Sequence, residues 1–262
     1  KGGRLPVQGR RVLDLASFIA GPVATTVMGA YGDEVIKIEP PGEGDPQRKL
    51  GQAHAIPQHP VNFCWHLVNR NKRSVVLDLK HAEGRSVFER LVKTADVFVE
   101  NYRPGAFDAL GLGYEDLAKI NPRLIYASFS AFGQDGPRGN QTAYDHVIQA
   151  TSGIMAMTGT KDVHPVKIGA PAVDYMTGMT GAFALSAALY QRERTGKGQR
   201  IDMAMLDVAM ILMASHVTGS PLTGAHPTPP ATPAARPVLH LLVQRGRGGA
   251  GRGSARSAGS PV

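Results

Sequence analysis

The chain has 262 residues, of which 42% are hydrophobic and 19% are charged, and this composition excludes wholesale disorder. Its one cysteine, Cys64, excludes an intrachain disulfide and therefore a secreted disulfide scaffold. The net charge of +8 suggests a polyanionic ligand, but five of these charges are arginines after residue 220, and the remaining +3 suits a small anionic ligand better than nucleic acid.

Short runs of β-branched and apolar residues predict the strands. We expect strands at 11–16, 34–39, 74–79, 96–101 and 124–130, and a further short strand at 199–203. Helical stretches lie between most of these runs. The alternation of strand and helix predicts an α/β fold, with a mostly parallel sheet and flanking helices.

Helices are predicted where apolar residues recur at helical spacing. The expected ranges are 22–31, 81–94, 104–110, 114–120, 143–157, 174–194 and 206–214. The uncharged run at 15–32 has the length of a membrane span, but its glycines and its proline favour a strand, a turn and a helix. We therefore predict no transmembrane segment.

The composition of the chain changes near residue 220. We predict that residues 1–220 form one large domain and that residues 221–262 form a tail rich in proline, glycine and arginine. The tail has seven prolines, no acidic residue and too little apolar surface to offset the entropy of ordering. We interpret it as disordered, or as a non-native continuation such as GC-rich sequence read out of frame.

Two groups of residues resemble ligand sites only weakly. His54, His59, Cys64 and His66 carry side chains that can bind metals, but their spacing matches no common zinc pattern. The segment Gly111-Leu112-Gly113 lacks the third glycine of a dinucleotide fingerprint and follows a predicted helix. The sequence therefore predicts neither a metal site nor a nicotinamide cofactor.

Two other features each have two interpretations on spacing alone. The basic run at 69–73 either holds phosphates or is a solvated charge run. Asp174, at the start of a helix rich in glycine and alanine, is either an N-cap or a nucleophile that the helix N-terminus keeps ionised by lowering its pKa. In the second case Gly178 and Gly181 would leave room for a ligand close to the backbone.

Short segments along the chain resemble class III CoA-transferases, the family that includes formyl-CoA transferase and proteins named carnitine dehydratase. The segments are Val12–Pro22, Gly32–Glu39, Gly42–Asp45, Asn69–Ser74, Phe98–Gly105, Asn121–Ser128, Gly133–Pro137, Ala143–Asp145, Gly169–Asp174 and Thr195–Asp202. They occur in order and at natural spacing over about residues 8–215. Each segment is short, and together they make the resemblance specific.

The resemblance implies transfer of coenzyme A from an acyl-CoA thioester to a carboxylic acid through a covalent aspartyl intermediate. The nucleophile of the family falls on Asp174. The CoA pocket of the family falls on Ile19, Ala20, Asn69, Asn71, Lys72, Asn101, Tyr102, Arg103 and Tyr144. CoA is then a substrate, and no tightly bound cofactor and no metal are expected.

The resemblance also implies an architecture. Family members have a Rossmann-like large domain and a small second domain, which is largely missing from this sequence, and their chains are interlinked as a homodimer. Family members are also considerably longer than 262 residues. We expect a cytoplasmic protein with no nucleic-acid and no membrane partner.

Two alternatives to an active transferase stay open. The α-methylacyl-CoA racemases resemble this chain over the same segments, but they use a histidine–aspartate pair for proton transfer at the α-carbon. Their histidine falls on Tyr144, directly before Asp145, and His146 lies two positions away. The other alternative is an inactive CoA-binding remnant produced by truncation.

Overall fold

The fold is an α/β sandwich around one parallel sheet. The computed structural model describes residues 5–6, 8–50, 56–226 and 228–229. Its strands are β1 (Arg11–Asp14), β2 (Glu34–Glu39), β3 (Lys72–Val76), β4 (Val97–Glu100), β5 (Ile125–Ser130) and β6 (Gln199–Ala204). They pair in parallel throughout, in the order β3-β2-β1-β4-β5-β6. This is the strand order of the Rossmann-type doubly wound sheet, so the predicted fold class is confirmed.

Helices flank the sheet, and most of them match the predicted ranges within a few residues. They are α1 (Ala20–Ala30), α2 (Gln47–Leu50), α3 (Phe63–Asn69), α4 (Ala82–Val92), α5 (Tyr114–Ile120), α6 (Asp145–Ser152), α7 (Ile154–Met157), α8 (Ala172–Thr195), α9 (Met205–Leu212) and α10 (Ala214–Thr223). Helix α8 ends at Gly196, whose left-handed backbone (φ 74°) forms the expected glycine C-cap.

Three predicted elements differ from the structure. Strand β3 begins at Lys72 rather than at residue 74, because its ladder with β2 starts with Val35 opposite Lys72. The helix predicted at 104–110 is reduced to one 3₁₀ turn at Asp108–Leu110, since Gly105 takes a left-handed φ of 79°. The helix predicted at 143–157 is divided into α6 and α7 at Gly153, whose φ is 91°.

The central strands bury side chains on both faces of the sheet, which gives two apolar layers. In β1, Val12 belongs to the layer that contains Ala24 of α1 and Leu185 of α8. Its neighbour Leu13 points to the opposite face and shares a layer with Phe88 of α4. Burial on both faces explains why these strands read as continuous apolar runs.

Helices α1 and α8 pack closely because α8 carries glycines where they meet. A Cβ at Gly178 would lie 2.6 Å from the Cβ of Val23 and 2.8 Å from the carbonyl oxygen of Ala20. A Cβ at Gly181 would lie 2.4 Å from Cζ of Phe129. The expectation that these glycines leave room for a ligand is therefore wrong, because α1 and β5 occupy that space.

Helices α9 and α10 are the last elements that the structure describes. Among the described residues no single helix is long and apolar enough to cross a membrane; α9 and α10 reach that length only together, and they are bent by 70°. The tail predicted from residue 221 begins inside α10, which continues to Thr223. Residues 227 and 230–262 lie outside the described residues, so the disorder of the tail stays a prediction.

Gly178→Ala should lower the free energy of unfolding by about 1–3 kcal/mol, because the added methyl group forces α1 and α8 apart. Gly219→Ala is the matched control, since Gly219 also lies within a helix but has no atom within 4 Å of an added Cβ. Urea unfolding of both variants and the wild type measures the difference. Equal stability of the two variants would contradict the close packing of these helices.

Candidate active site

A cavity opens at the carboxyl ends of the strands, where the strand order reverses between β1 and β4. Doubly wound sheets bind their ligands at this switch point, because the connections on either side leave in opposite directions. Residues that follow β1, β4 and β5 line a cavity of about 640 Å³. This volume is in the range of small-molecule sites.

Most of the residues that the resemblance assigned to the site line this cavity. They are Ile19, Ala20, Asn101, Tyr102, Arg103, Tyr144 and Asp174. These residues come from segments far apart in the chain, and the sheet topology brings them together. Asn69, Asn71 and Lys72 are not among the cavity-lining residues that the structure describes. They lie from the last residue of α3 to the first residue of β3, whereas the cavity opens at the carboxyl ends of the strands.

Lys72 belongs to a buried charge cluster rather than to the cavity wall. Its ammonium group donates hydrogen bonds to Asp14 Oδ2 at 2.8 Å and to Asn69 Oδ1 at 3.1 Å. It also donates to the carbonyl oxygens of Pro22 at 2.8 Å and Val68 at 2.7 Å. Burial lowers the pKa of Lys72 to about 8, although the negative charge of Asp14 acts to raise it. Because its protons are already engaged, Lys72 is not available to bind a phosphate of CoA.

A second buried lysine connects this cluster to the loop before α2. The Lys37 ammonium lies 2.8 Å from Asp45 Oδ2 and 3.8 Å from Asp14 Oδ1, and it donates a hydrogen bond to the Ala16 carbonyl. The side chains of Asp14, Lys37, Asp45 and Lys72, called the buried charge cluster below, are each at most 2% exposed. Buried charges need partners of opposite sign, and here two lysines meet two aspartates.

The buried charge cluster helps to hold the turn after β1 in an unusual conformation. Phe18 has a φ of 62°, a region that residues other than glycine rarely adopt. Asp45 Oδ1 accepts the Phe18 N–H at 3.3 Å. Asn101 accepts the Ser17 N–H at 2.7 Å and donates to the Ser17 carbonyl at 2.8 Å. These bonds fix the turn from both sides, and the start of α1 that follows it lines the cavity.

Arg103 is the one cation among the cavity-lining residues that the structure describes. Its guanidinium makes a long contact of 3.5 Å to the Asn140 carbonyl, which leaves most of its donors available. Arg48, by contrast, donates to both oxygens of Glu39 at 2.6 and 2.8 Å. Arg103 is therefore the best placed side chain for an anionic part of a ligand.

Asp174 lies in the first turn of α8, but it does not cap the helix. Helix α8 begins at Ala172, so Asp174 is too far along the helix for the N-cap position. The N–H groups of Val173 and Asp174 are bound instead by Asp145 Oδ2, at 2.8 and 3.1 Å. The interpretation of Asp174 as an N-cap is therefore wrong.

The ionisation of Asp174 also differs from the sequence-based expectation. Burial, and after it the negative charge of Asp145, raises the pKa of Asp174 to about 7. A helix N-terminus would lower this pKa, but here Asp145 occupies the amides nearest to Asp174. A carboxyl group with a strongly raised pKa in a cleft is typical of functional sites.

Among the cavity-lining residues that the structure describes there is no histidine, and Tyr144 stands where the resemblance places the histidine of the racemases. Tyr144 lines the cavity and contacts Phe18 edge to face, with ring centroids 5.8 Å apart. His146 stacks on Tyr144 at 6.3 Å and is not among the lining residues that the structure describes. Within the described residues there is also no group of three or more His, Cys, Asp or Glu that could hold a metal ion.

Sequence reasoning missed the apolar wall of the cavity. Phe18, Phe129, Ala131 and Met205 line it from the β1 turn, the end of β5 and the start of α9. They are ordinary apolar residues, and only the order of the strands brings them together. Asp145 lay within a matched segment, but its spacing gave no sign that it would bind the start of α8.

The fold and the cavity define a doubly wound α/β protein with a cavity of small-molecule size at its switch point and a carboxyl of raised pKa in the cavity wall. A sequence profile of CoA-transferase family III matches residues 7–241. The chain therefore belongs to CoA-transferase family III, and the resemblance found in the sequence is confirmed.

Relatives of known name and structure agree with this assignment. The chain is 44% identical over 223 residues to acetyl-CoA:oxalate CoA-transferase of Acetobacter aceti, a match that covers 85% of this chain and 56% of that protein. It is 40% identical over 220 residues to the succinyl-CoA:glutarate CoA-transferase of Homo sapiens, covering 84% of this chain and 49% of that protein. A CaiB/BaiF family protein from Brucella suis has a similar structure, with a TM-score of 0.82, 38% identity and coverage of 90% of this chain and 63% of that one. This chain thus spans only part of the length of these relatives.

Asp174→Asn should stabilise the protein above pH 7 relative to the wild type. Because the pKa of Asp174 is about 7 when folded and near 4 when unfolded, the wild type loses stability as the pH rises between these values. The amide does not ionise, so the variant should gain at least about 1 kcal/mol relative to the wild type between pH 4 and pH 8.

Urea unfolding at pH 4, 6 and 8 measures this gain. The same measurements on Asp207→Asn, which changes an exposed acid in the first turn of α9, give the matched control. A stability difference for Asp174→Asn that is the same at all three pH values would show that Asp174 is not buried in the way described.

Proposed function

We propose that this protein transfers coenzyme A from an acyl-CoA thioester to a carboxylic acid, with Asp174 as the covalent nucleophile. The observation that carries the proposal is a half-buried carboxyl of raised pKa in the wall of the switch-point cavity. Family membership and the names of the relatives support the reaction class. Because the chain spans 56% of the Acetobacter aceti relative, the activity of the whole protein is itself part of the proposal.

Covalent catalysis divides the exchange into steps that a carboxylate and a thiolate can perform. Asp174 attacks the acyl-CoA carbonyl and releases CoA thiolate, which gives a mixed anhydride. The thiolate attacks the aspartyl carbonyl, releases the donor acid as its carboxylate and leaves an aspartyl-CoA thioester. The acceptor carboxylate then attacks this thioester and releases the thiolate. Attack of the thiolate on the acceptor carbonyl finally forms the new acyl-CoA and restores Asp174.

The start of α1 and Arg103 have supporting roles in this reaction. The first amides of a helix have no acceptor within the helix, so the N–H groups of Ile19 and Ala20 suit the oxyanion that forms at each attack. Arg103 suits a phosphate of CoA, because it is a cation with donors to spare at the cavity wall. Tyr102 and Tyr144 offer aromatic surface on which the nucleotide can pack.

The names of the relatives suggest which acids to test. One relative is named for oxalate and another for succinate and glutarate, and all three acids are dicarboxylates. We therefore propose short dicarboxylic acids as the first class of acceptor, with succinyl-CoA and acetyl-CoA as donors. A cytoplasmic location stays part of the proposal.

We also propose that the protein forms a homodimer. One side of α8 carries a stripe of exposed apolar side chains at helical spacing. The stripe consists of Tyr175, Met176, Met179, Phe183 and Tyr190, and Phe183 is 75% exposed. A long stripe of this kind on a soluble domain is typical of an interface.

Phe183→Asp should shift the protein from dimer to monomer, because a carboxylate placed in the centre of an apolar interface costs several kcal/mol. Val163→Asp is the matched control, since Val163 is 63% exposed but lies outside the stripe. Sedimentation velocity at micromolar concentration measures the state of all three proteins. A monomeric wild type would contradict the homodimer.

Asp174→Asn should reduce CoA transfer by roughly 10³-fold or more, because an amide cannot form the anhydride. Chromatographic measurement of new acyl-CoA from succinyl-CoA and a panel of dicarboxylic acids gives the rate. Mass spectrometry of the wild type after acyl-CoA and hydroxylamine treatment should show a modified peptide that contains Asp174. Asp207→Asn, in which another first-turn acid is replaced, should keep wild-type transfer.

Two results would contradict the proposal in different ways. Near-normal transfer by Asp174→Asn would remove Asp174 as the nucleophile. A wild type that binds CoA in calorimetry but transfers it to no acid would instead support the inactive remnant.

A further inference from the structure

Asp145 is buried behind the start of α8, and both of its oxygens accept hydrogen bonds. Oδ2 accepts the N–H of Val173 at 2.8 Å and the N–H of Asp174 at 3.1 Å. Oδ1 accepts a hydrogen bond from the side-chain amide of Gln149, one turn further along α6. Asp145 is 7% exposed and is not among the described cavity-lining residues. It therefore contacts the backbone of the proposed nucleophile from outside the cavity.

Gln149 extends this contact to the segment that leads into α8. Gln149 is fully buried, and its Oε1 accepts the Ile168 N–H at 2.8 Å. Asp145 and Gln149 thus hold both ends of the segment 168–174 against α6. Since this segment is short, its two anchors fix where the Asp174 carboxyl stands.

The negative charge of Asp145 also acts on Asp174. The other titratable groups on the surrounding elements include Cys64, Tyr102, Arg103, Tyr144, His146, Lys167, Tyr175 and Asp207. Of the described groups, Asp145 is the one whose charge raises the pKa of Asp174, in addition to the larger effect of burial. A carboxyl group with a raised pKa gives a more basic carboxylate when it ionises, and a more basic carboxylate is a stronger nucleophile.

We propose that Asp145 is a positioning residue for the nucleophile, which holds the start of α8 in place and keeps a second carboxylate beside Asp174. This inference rests on the proposed function, because it assigns Asp145 a part in the reaction of Asp174. Asp145 itself touches no substrate. Its two effects, position and charge, can be separated by substitution.

The variant pair Asp145→Asn and Asp145→Asn/Gln149→Glu separates position from charge. In Asp145→Asn, one carboxylate oxygen becomes an NH₂ group that cannot accept the hydrogen bond of Gln149, so both the charge and the network change. In the double variant, the new amide at position 145 keeps an oxygen for the α8 amides and donates to the new carboxylate at position 149. That carboxylate also accepts the Ile168 N–H. The network and the net charge are kept, and the negative charge moves one helical turn away from the α8 amides.

Two measurements follow the ionisation of Asp174. Carbon-13 NMR gives its carboxyl titration, with the resonance assigned by its loss in Asp174→Asn, and the acid limb of the kcat/KM profile gives its ionisation during transfer. We expect both midpoints to fall by about one pH unit in Asp145→Asn, where a like charge has been removed, and by a smaller amount in the double variant, where that charge has moved one helical turn away. The double variant should keep the wild-type KM and stability, whereas Asp207→Asn should leave both midpoints in place.

The outcomes separate this inference from the proposed function. Midpoints that stay at the wild-type value in a folded Asp145→Asn protein would overturn the role of Asp145. If KM rises and stability falls as much in the double variant as in the single variant, the hydrogen-bond network of positions 145 and 149 does not position Asp174. If the wild type transfers no CoA but the NMR midpoint of Asp174 still falls in Asp145→Asn, the proposed function is refuted. The effect of Asp145 on Asp174 is then retained.

Discussion

Four charges buried in the middle of the protein constrain the structure around the site. The buried charge cluster joins Asp14 of β1, Lys37 of β2, Lys72 of β3 and Asp45 of the loop before α2. Removing one partner of a buried pair leaves an unpaired charge, which costs several kcal/mol. The strand ends and the loop must therefore stay together. Through the bond from Phe18 to Asp45, this constraint reaches the turn that shapes the cavity.

Helix α8 combines three functions along its length. Its first turn carries Asp174 into the cavity, its inner face uses Gly178 to approach α1, and its outer face exposes Phe183 and its neighbours. A helix that is apolar on both faces requires cover on both sides. The position of the candidate nucleophile thus depends on packing inside the chain and, in the proposed dimer, on packing between chains.

The local pattern of the sequence was sufficient for the strands, and the resemblance to the family supplied most of the residues that line the cavity. Runs of β-branched residues mark β1 to β5, and the residues around Asn101 lie at a strand end as expected. Lys72 and Gly178 could not be interpreted in the same way. A lysine in a basic run has the same local signature whether it meets a phosphate or Asp14, which is 58 residues away in sequence. A glycine in a helix likewise looks the same in sequence whether a ligand or another helix lies against it. Only the fold shows that α1 lies against Gly178.

The surroundings of Asp174 favour the uncharged forms of this side chain in the proposed reaction. Burial and the charge of Asp145 both disfavour a negative charge on this side chain. The mixed anhydride and the aspartyl thioester of the proposed reaction are uncharged at that position, so neither incurs the desolvation or the repulsion. Burial and repulsion therefore raise the free energy of the enzyme with ionised Asp174, compared with an enzyme whose carboxylate is exposed. They do not raise the free energy of the covalent intermediates. The site is electrostatically better matched to its acylated forms than to its free form, which should lengthen the lifetime of the acyl-enzyme while it waits for an acceptor.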